Sequence, residues 1–382
     1  MKSFRRRPTA TAIPSKPSER TSNCFPPKSP MNQILIDCER TKHPYTGLFY
    51  FCLHLGTALV RQADPAREKL TFYVPRTQRS LFGPGQDYFF HRDFHKFWIP
   101  RTRSFSLWHC TWQNSRLLPP PSGTRVVLTI HDLNFLEEPK AKPSKIKKRL
   151  RQVQANIDRA DNIVCVSQFT LSIVTTHVRL GNRPVEVIYN GCSVTEFPTF
   201  DHPRNRPARP FIFSLGTVLP KKNFHVLPGL LGGNDYELVI AGILNADYER
   251  IIWAEARRHG VQSRVHLLGP VSEEEKSWYF RNCLAFAFPS LAEGFGIPVV
   301  EAMYYGKPVF LSDHASLPEI GGSEAYYFTD FDSTAMQGVF SRGIADYQSH
   351  GKAEKIRQRA LRYSWDQAAR DYLTIYRKWN PI

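Results

Sequence analysis

Short apolar runs alternate with amphipathic stretches along most of the chain. NQILIDC, residues 32–38, holds an apolar run of strand length over about Gln33 to Cys38. After it, HPYTGLFYFCLHLGTALVRQ places Phe51, Leu55 and Leu59 at helical spacing, with Gly47 closing a short turn in front. RVVLTI predicts a buried strand that ends at His131 and Asp132, and KPSKIKKRLRQVQANIDRA predicts a helix. NIVCVS is the next strand, Ser167 the N-cap of the next helix, and PVEVIYNG a further strand with a glycine stop. The second half repeats the alternation. FIFSLG, YELVIAG, VHLLGPV, FAFP and KPVFLSD read as strands, with helices predicted at 246–259, after Ser272, and through Val299, Val300, Ala302 and Met303. Ser272 with Glu275 forms a capping box, Pro298 suits a first helical turn, and Gly306 is the stop. The last segment, 353–379, is helical with a break near Ser364 and Trp365.

Continuous apolar strands separated by helices describe an α/β chain whose parallel sheets are covered on both faces. The 382 residues allow two domains. We expect a disordered basic tail at 1–30, a first Rossmann-like domain at 31–200, and a linker at 201–207 within FDHPRNRPARP. A second Rossmann-like domain follows at 208–355, and helices at 356–382 return to the first domain. The tail carries Lys2, Arg5, Arg6, Arg7, Lys16, Arg20 and Lys28 against Glu19 alone and has no hydrophobic period.

Composition narrows the class. A 42% apolar fraction excludes a wholly disordered chain. The formal charge of +17 points to acidic partners: nucleic acid, anionic lipid or phosphorylated substrates. Seven scattered cysteines (24, 38, 52, 110, 165, 192 and 283) form no close pair, which suggests reduced, buried thiols rather than a zinc site or a disulfide framework. No run reaches the length of a membrane span, and no apolar segment follows the N-terminal arginines. Residues 70–115 interleave Tyr, Trp, Phe, His and Arg, a mixture that suits core packing plus an amphipathic surface helix, or stacking on bases or sugars.

The chemistry concentrates at 286–306, FAFPSLAEGFGIPVVEAMYYG. A buried strand runs into a glycine loop and then a helix, the arrangement by which open α/β sheets bind anions. Glu293 stands on the loop and Glu301 inside the helix. This stretch resembles the retaining glycosyltransferases of family 4. So do LGTVLPKKN (215–223), HLLGPVSEEE (266–275), GKPVFLSD (306–313) and SLPEIGG (316–322). TIHDLNFLEEP (129–139), VSQFT (166–170) and VIYNG (187–191) match in the first half, and the turn at Gly47 matches weakly.

The resemblance implies a GT-B fold, two Rossmann-like α/β/α domains facing across a cleft. It implies a retaining, metal-independent hexosyltransferase with no cofactor besides a GDP- or UDP-linked sugar donor, mannose slightly favoured. Its acceptor would be a glycan or a lipid-linked glycan, in polysaccharide or lipopolysaccharide assembly. The setting would be cytoplasmic, or peripheral on the inner membrane face, where the basic residues at 140–151 meet anionic lipid. By the same resemblance Glu293 stands near the transferred sugar, Glu301 against the nucleotide ribose, and His131 faces the sugar from across the cleft. Lys222, with Lys221 beside it, meets the diphosphate. Gly47, Gly216 and Thr217 border the phosphates, Val271 the base, and Gly294, Phe295 and Gly296 the sugar; Ser290 is a further nucleotide contact or a loop hydrogen bond. Thr217 departs from the pattern, since many relatives carry an arginine there.

Two mechanisms stay open, front-face attack guided by the leaving phosphate and a covalent intermediate. Independently of the resemblance, a departing diphosphate needs cations or helix amides where its charge forms, and lysine with helix N-termini can supply them without a metal. A nucleic-acid-binding protein, or a non-catalytic carbohydrate-binding protein of the same fold, is the alternative; neither accounts for the glutamate motif as well.

Overall fold

A computed structural model describes Met1 and residues 31–100, 102–119, 123–137 and 142–379. Residues 2–30 of the tail and Lys140 lie outside the described backbone. In chain order, the first half comprises β1 (Asn32–Asp37), α1 (Gly47–Gln62), β2 (Glu68–Val74), β3 (Asp87–Phe90), β4 (Leu107–Cys110) and β5 (Arg125–Ile130). It continues with α2 (Pro143–Arg159), β6 (Asn162–Cys165), α3 (Gln168–His177) and β7 (Val185–Val187). These strands form one sheet in the order β3-β2-β1-β4-β5-β6-β7, every pair parallel.

The second half comprises β8 (Phe211–Leu215), β9 (Glu237–Ala241), α4 (Ala246–Arg258), β10 (Val265–Leu267), α5 (Glu273–Asn282), β11 (Ala285–Phe288), α6 (Ile297–Tyr304) and β12 (Val309–Ser312). It ends with α7 (Leu317–Gly321), β13 (Tyr326–Phe328), α8 (Ser333–His350), α9 (Ala353–Ala360) and α10 (Trp365–Lys378). Its sheet, β10-β9-β8-β11-β12-β13, is also parallel throughout. Each sheet reverses its strand order once, beside β1 in the first and beside β8 in the second. Parallel pairing buries both faces, so β5, β9, β11 and β12 read as apolar runs.

The local signals fold as the sequence implies. The Ser167 hydroxyl accepts from Thr170 N at the start of α3, and Ser272 with Glu275 completes the capping box of α5. Gly296 caps α6 in the left-handed region (φ +97°), where a side chain would be strained. Residues 70–115 differ from the expected surface helix: they supply β3, β4 and most of β2, joined by short 3-10 turns. Tyr73 and Trp108 are fully buried, so tertiary packing overrides a composition that has no clear period.

The C-terminus divides later than residue 355. Ile356 and Ala360 of α9 belong to the core of the second sheet. Only α10 crosses back, burying Trp365, Tyr372, Leu373 and Tyr376 with Phe51, Leu55 and Leu59 of α1. Beneath it the Tyr376 hydroxyl lies 2.7 Å from His109 Nδ1, and the Tyr372 hydroxyl 2.8 Å from Thr129 Oγ1. These buried polar pairs fix where the helix docks. Cys38, Cys52, Cys110, Cys165, Cys192 and Cys283 are free thiols. Among the described residues no helix is long and apolar enough to cross a membrane.

Candidate active site

Loops at the carboxyl ends of β1, β4, β5, β8, β9 and β11 line a single cleft of about 1700 Å³. Those of β1 and β4, and of β8 and β11, flank the points where strand order reverses, where open parallel sheets bind ligands. Gly47, His131, Gly216, Thr217, Lys221, Lys222, Val271, Glu293, Gly294, Phe295, Gly296 and Glu301 all border it.

Lys222 and Glu293 meet as an ion pair, each side chain only 13% exposed. Burial lowers the Lys222 ammonium below the usual lysine range, with Glu293 pulling the other way. The ammonium also sits 4.9 Å from the centre of the Phe288 ring. Main-chain bonding sets the two loops together: Leu291 N donates to the Lys221 carbonyl at 2.8 Å, and the Ser290 hydroxyl donates to the same oxygen at 3.2 Å. Of the two readings of Ser290, the structure shows the loop hydrogen bond. The side chain is fully buried off the cleft wall, with its hydroxyl used inside the loop.

From the other sheet comes His131. Its Nε2 lies 2.9 Å from the Thr111 carbonyl, which only accepts, so Nε2 carries the proton. Burial pushes its pKa down to about 4, so the ring is neutral near pH 7 and Nδ1 is its remaining acceptor. Phe51 of α1 packs edge-on against the ring at 4.4 Å.

The two halves touch at Gly294. A Cβ there would fall 1.8 Å from the His131 carbonyl oxygen, so only glycine permits this approach. Ser167 Oγ donates to the Gly294 carbonyl at 2.7 Å, Thr170 Oγ1 to the His131 carbonyl at 3.1 Å, and Asn134 Nδ2 to the Ala292 carbonyl at 3.3 Å. Glu319 reaches over from α7 and accepts from the first two amides of α3, Gln168 N at 2.8 Å and Phe169 N at 2.9 Å, and from the Tyr189 hydroxyl at 2.7 Å. Gly47 behaves oppositely to Gly294. Its Cβ would meet no atom within 4 Å, so packing does not require glycine on this open stretch of wall.

Glu301 is 4% exposed, and its Oε1 takes the Lys276 ammonium at 2.8 Å. Glu273 holds the same ammonium at 2.8 Å, and the Tyr50 hydroxyl donates to Glu273 at 3.0 Å. Burial opposes the Lys276 charge, but the Glu301 and Glu273 carboxylates outweigh it and hold its pKa above the ordinary lysine value. Burial lifts the Glu301 carboxyl, against the pull of Lys276.

Sequence reasoning missed Lys276, whose signal was a lysine inside the otherwise buried run Ser277, Trp278, Tyr279, Phe280. It also missed Asn190, which borders the cleft 4% exposed with an Oδ1 that has no hydrogen-bond partner among the described residues. Among the described residues no three His, Cys, Asp or Glu side chains gather to hold a metal ion.

This is the architecture of enzymes that work between two facing nucleotide-binding-type sheets. The family profile "Glycosyl transferases group 1" matches residues 198–360, and "Glycosyltransferase Family 4" matches 60–196. The chain is similar to the O-antigen chain mannosyltransferase B of Escherichia coli, 25% identical over 281 residues that cover 66% of this chain and 70% of that one. It is 35% identical over 177 residues to the D-rhamnosyltransferase WbpZ of Pseudomonas aeruginosa, covering 44% and 43%. The solved sucrose-phosphate synthase of Thermosynechococcus elongatus shares the fold, with a TM-score of 0.72 at 17% identity over 91% of this chain and 98% of that one. The chain belongs to the group 1, family 4 glycosyltransferases of GT-B fold and is related to bacterial mannosyltransferases. Such an enzyme moves a sugar from a nucleotide-sugar donor to an acceptor.

Proposed function

We propose a retaining, metal-independent hexosyltransferase that transfers mannose from a GDP-linked donor, with UDP-linked sugars as the competing donor class. Its acceptor is a glycan or lipid-linked glycan of a surface polysaccharide, met at the inner face of the cytoplasmic membrane. The carrying observation is the Lys222–Glu293 pair of one sheet set in the same cleft as the neutral His131 of the other. The mannosyltransferase relative supports the sugar.

In this reading the donor diphosphate takes Lys222 from Glu293. The ammonium then meets charge as the bond from the anomeric carbon to phosphate oxygen breaks, an interaction worth about 3 kcal/mol in barrier. The released Glu293 carboxylate and His131 Nδ1 accept hydroxyl protons of the sugar from opposite walls. The acceptor oxygen bonds to the anomeric carbon on the face the phosphate leaves, and its proton passes to the departing phosphate oxygen. Gly47 gives the diphosphate unobstructed main chain, and Glu301, fixed through Oε1 by Lys276, offers its other oxygen to the ribose. Without Thr217 as an arginine, Lys222 and the amides of the glycine loop carry the neutralisation.

A thermal-shift panel of GDP-, UDP-, ADP- and dTDP-sugars tests this, because a ligand that binds only the folded state raises the Tm by mass action. GDP-mannose should give the largest rise and support transfer in the presence of a chelator. A flat panel refutes the donor reading, and activity lost to chelator and restored by a divalent ion refutes the metal-free one.

A further inference from the structure

Lys276 stands on α5 between two acids, 2.8 Å from Glu301 Oε1 and 2.8 Å from Glu273 Oε2. Tyr50 meets this cluster from the other half of the molecule. It belongs to α1, its ring centre lies 5.1 Å from the Lys276 nitrogen, and its hydroxyl donates to Glu273 at 3.0 Å. Tyr50, Lys276 and Glu301 all border the cleft. A chain of polar contacts thus runs from Glu301 through Lys276 and Glu273 to a phenol on the opposite wall. Tyr50 is itself backed by other rings. His54 stacks on it at 5.9 Å and lies 5.8 Å from Trp365, the first residue of α10. Burial, with the Lys276 charge adding to it, lowers His54 to about 4, so this ring brings no second cation near pH 7.

A buried ion pair is a poor device for stability alone, because well-packed apolar side chains of the same volume join two elements as well or better. What the charges add here is direction. Glu301 Oε1 is held by the ammonium, and Oε2 has no hydrogen-bond partner among the described residues. A carboxylate with one oxygen pinned and the other open accepts a hydroxyl hydrogen along one line. The remaining titratable groups near Glu301 are Tyr50, the Cys192 thiol and Tyr305, which burial keeps protonated near pH 7. Lys276 therefore supplies the positive charge of the cluster, and its own position depends on Glu273 and Tyr50. Without the phenol, the half-exposed Glu273 could swing into water and draw the ammonium from Glu301.

We propose that Tyr50 is a positioning residue for the donor nucleotide, supplied by the half opposite Glu301: through Glu273 and Lys276 it holds the Glu301 carboxylate to a ribose hydroxyl, so the ribose is read in full only when the two halves stand together. The inference rests on the glycosyltransferase reading that puts Glu301 against the ribose, and adds the group across the cleft that makes this contact selective.

The test is calorimetric titration of the full-length protein with whichever of GDP or UDP raises the Tm, and with its two deoxyribose forms, each lacking one ribose hydroxyl. The readout is the ratio of ribonucleotide affinity to that of the weaker deoxy form, which a general loss of packing would not move. Wild type should show a ratio of at least ~10, the worth of a hydrogen bond to a charged group. Tyr50→Phe, which keeps the ring and removes the bond to Glu273, should lower the ratio at least ~3-fold, and Tyr50→Leu at least ~5-fold. Lys276→Met and Glu301→Gln should bring it close to one. In steady-state transfer Tyr50→Phe should raise the donor KM at least ~3-fold with kcat within ~2-fold of wild type, since the ribose contact is alike in ground and transition states. A ratio that falls in Glu301→Gln but holds in both Tyr50 variants overturns the inference and leaves the ribose reading standing. Ribonucleotide and deoxy forms weakening together in the Tyr50 variants also overturns it, and marks a structural contact. A ratio that holds in Glu301→Gln defeats the ribose reading itself, and failure of both nucleotides to raise the Tm defeats the donor reading beneath it.

Discussion

Gly294→Ala probes the contact that brings the two walls together. The glycine has no positive φ, so alanine is allowed by the backbone and the effect is purely steric. Its Cβ would lie 1.8 Å from the His131 oxygen, 2.8 Å from the carbonyl carbon and 3.3 Å from Asp132 Cβ. Real Cβ contacts do not fall below 3.0 Å, so loop and histidine strand must separate by about 1.2 Å. The atoms struck are main chain and cannot swing aside. The Ser167–Gly294 bond, now 2.7 Å, would stretch past hydrogen-bonding range, and Asn134–Ala292, already 3.3 Å, would break. Each lost bond costs about 1 kcal/mol. The catalytic cost is larger, since a misplacement of about 1 Å can lower a rate ~100-fold. Donor affinity should change little, because Lys222 and Glu301 both belong to the second sheet. Steady-state transfer and nucleotide thermal shift, measured side by side, separate the two effects. We expect kcat to fall ~100-fold with the nucleotide shift kept. Turnover within about threefold of wild type would refute the idea that this approach sets His131 against Glu293.

Lys222→Ala and Glu293→Ala should each cut transfer at least ~10-fold while the far-ultraviolet dichroism stays native; unchanged turnover in both sinks the site assignment. Lys276→Met strands Glu301 without its cation and should cost about 3–5 kcal/mol in urea unfolding, whereas Lys276→Met/Glu301→Gln should recover most of it; a double variant no better than the single would contradict the pairing. Gly47→Ala should leave stability unchanged within about 0.5 kcal/mol and yet weaken nucleotide binding, because the added methyl points into open cleft; unaltered binding would free Gly47 of a ligand role. Burial holds His131 near a pKa of about 4 and His109 near about 3, so the unfolded chain binds more protons between there and about 6.5, and Tm should drop as pH falls through that window. Asp37 acts with the opposite sign: burial raises it to about 7, so it keeps its proton when folded and its contribution is lost as pH rises from about 3.8 to 7. Asp37→Asn should therefore steepen the Tm rise between pH 4 and 6.5, and a flatter profile would show the sign to be wrong.

The sequence by itself determined most of the strands and helices and the identity of the loop chemistry, while β3 and β4, inside the aperiodic stretch 70–115, were decided by tertiary packing. Parallel strands buried on both faces must be apolar throughout, so β5, β9, β11 and β12 are visible as runs. The caps at Ser167 and Ser272 are local hydrogen bonds between near neighbours, and a local rule finds them. Glu293 and Glu301 were legible as carboxylates on a strand–loop–helix stretch of the kind that binds anions, and Lys222 and His131 became candidates through the resemblance of the motifs around them to the family. Only tertiary structure decided what those residues touch. Lys222 lies 71 residues from Glu293, and Lys276 lies 25 from Glu301. No periodicity reports contacts at such separations, since they depend on which strands become neighbours. The same holds for Ser290, whose burial follows from the packing of two loops, and for Gly294, whose need for glycine lies on the opposite sheet. The basic residues of α2 were plain in the sequence as charge. Which of them face the cleft was settled by how Ile146, Leu150, Val153 and Ile157 seat the helix, because burying that stripe fixes the helix's rotation about its own axis.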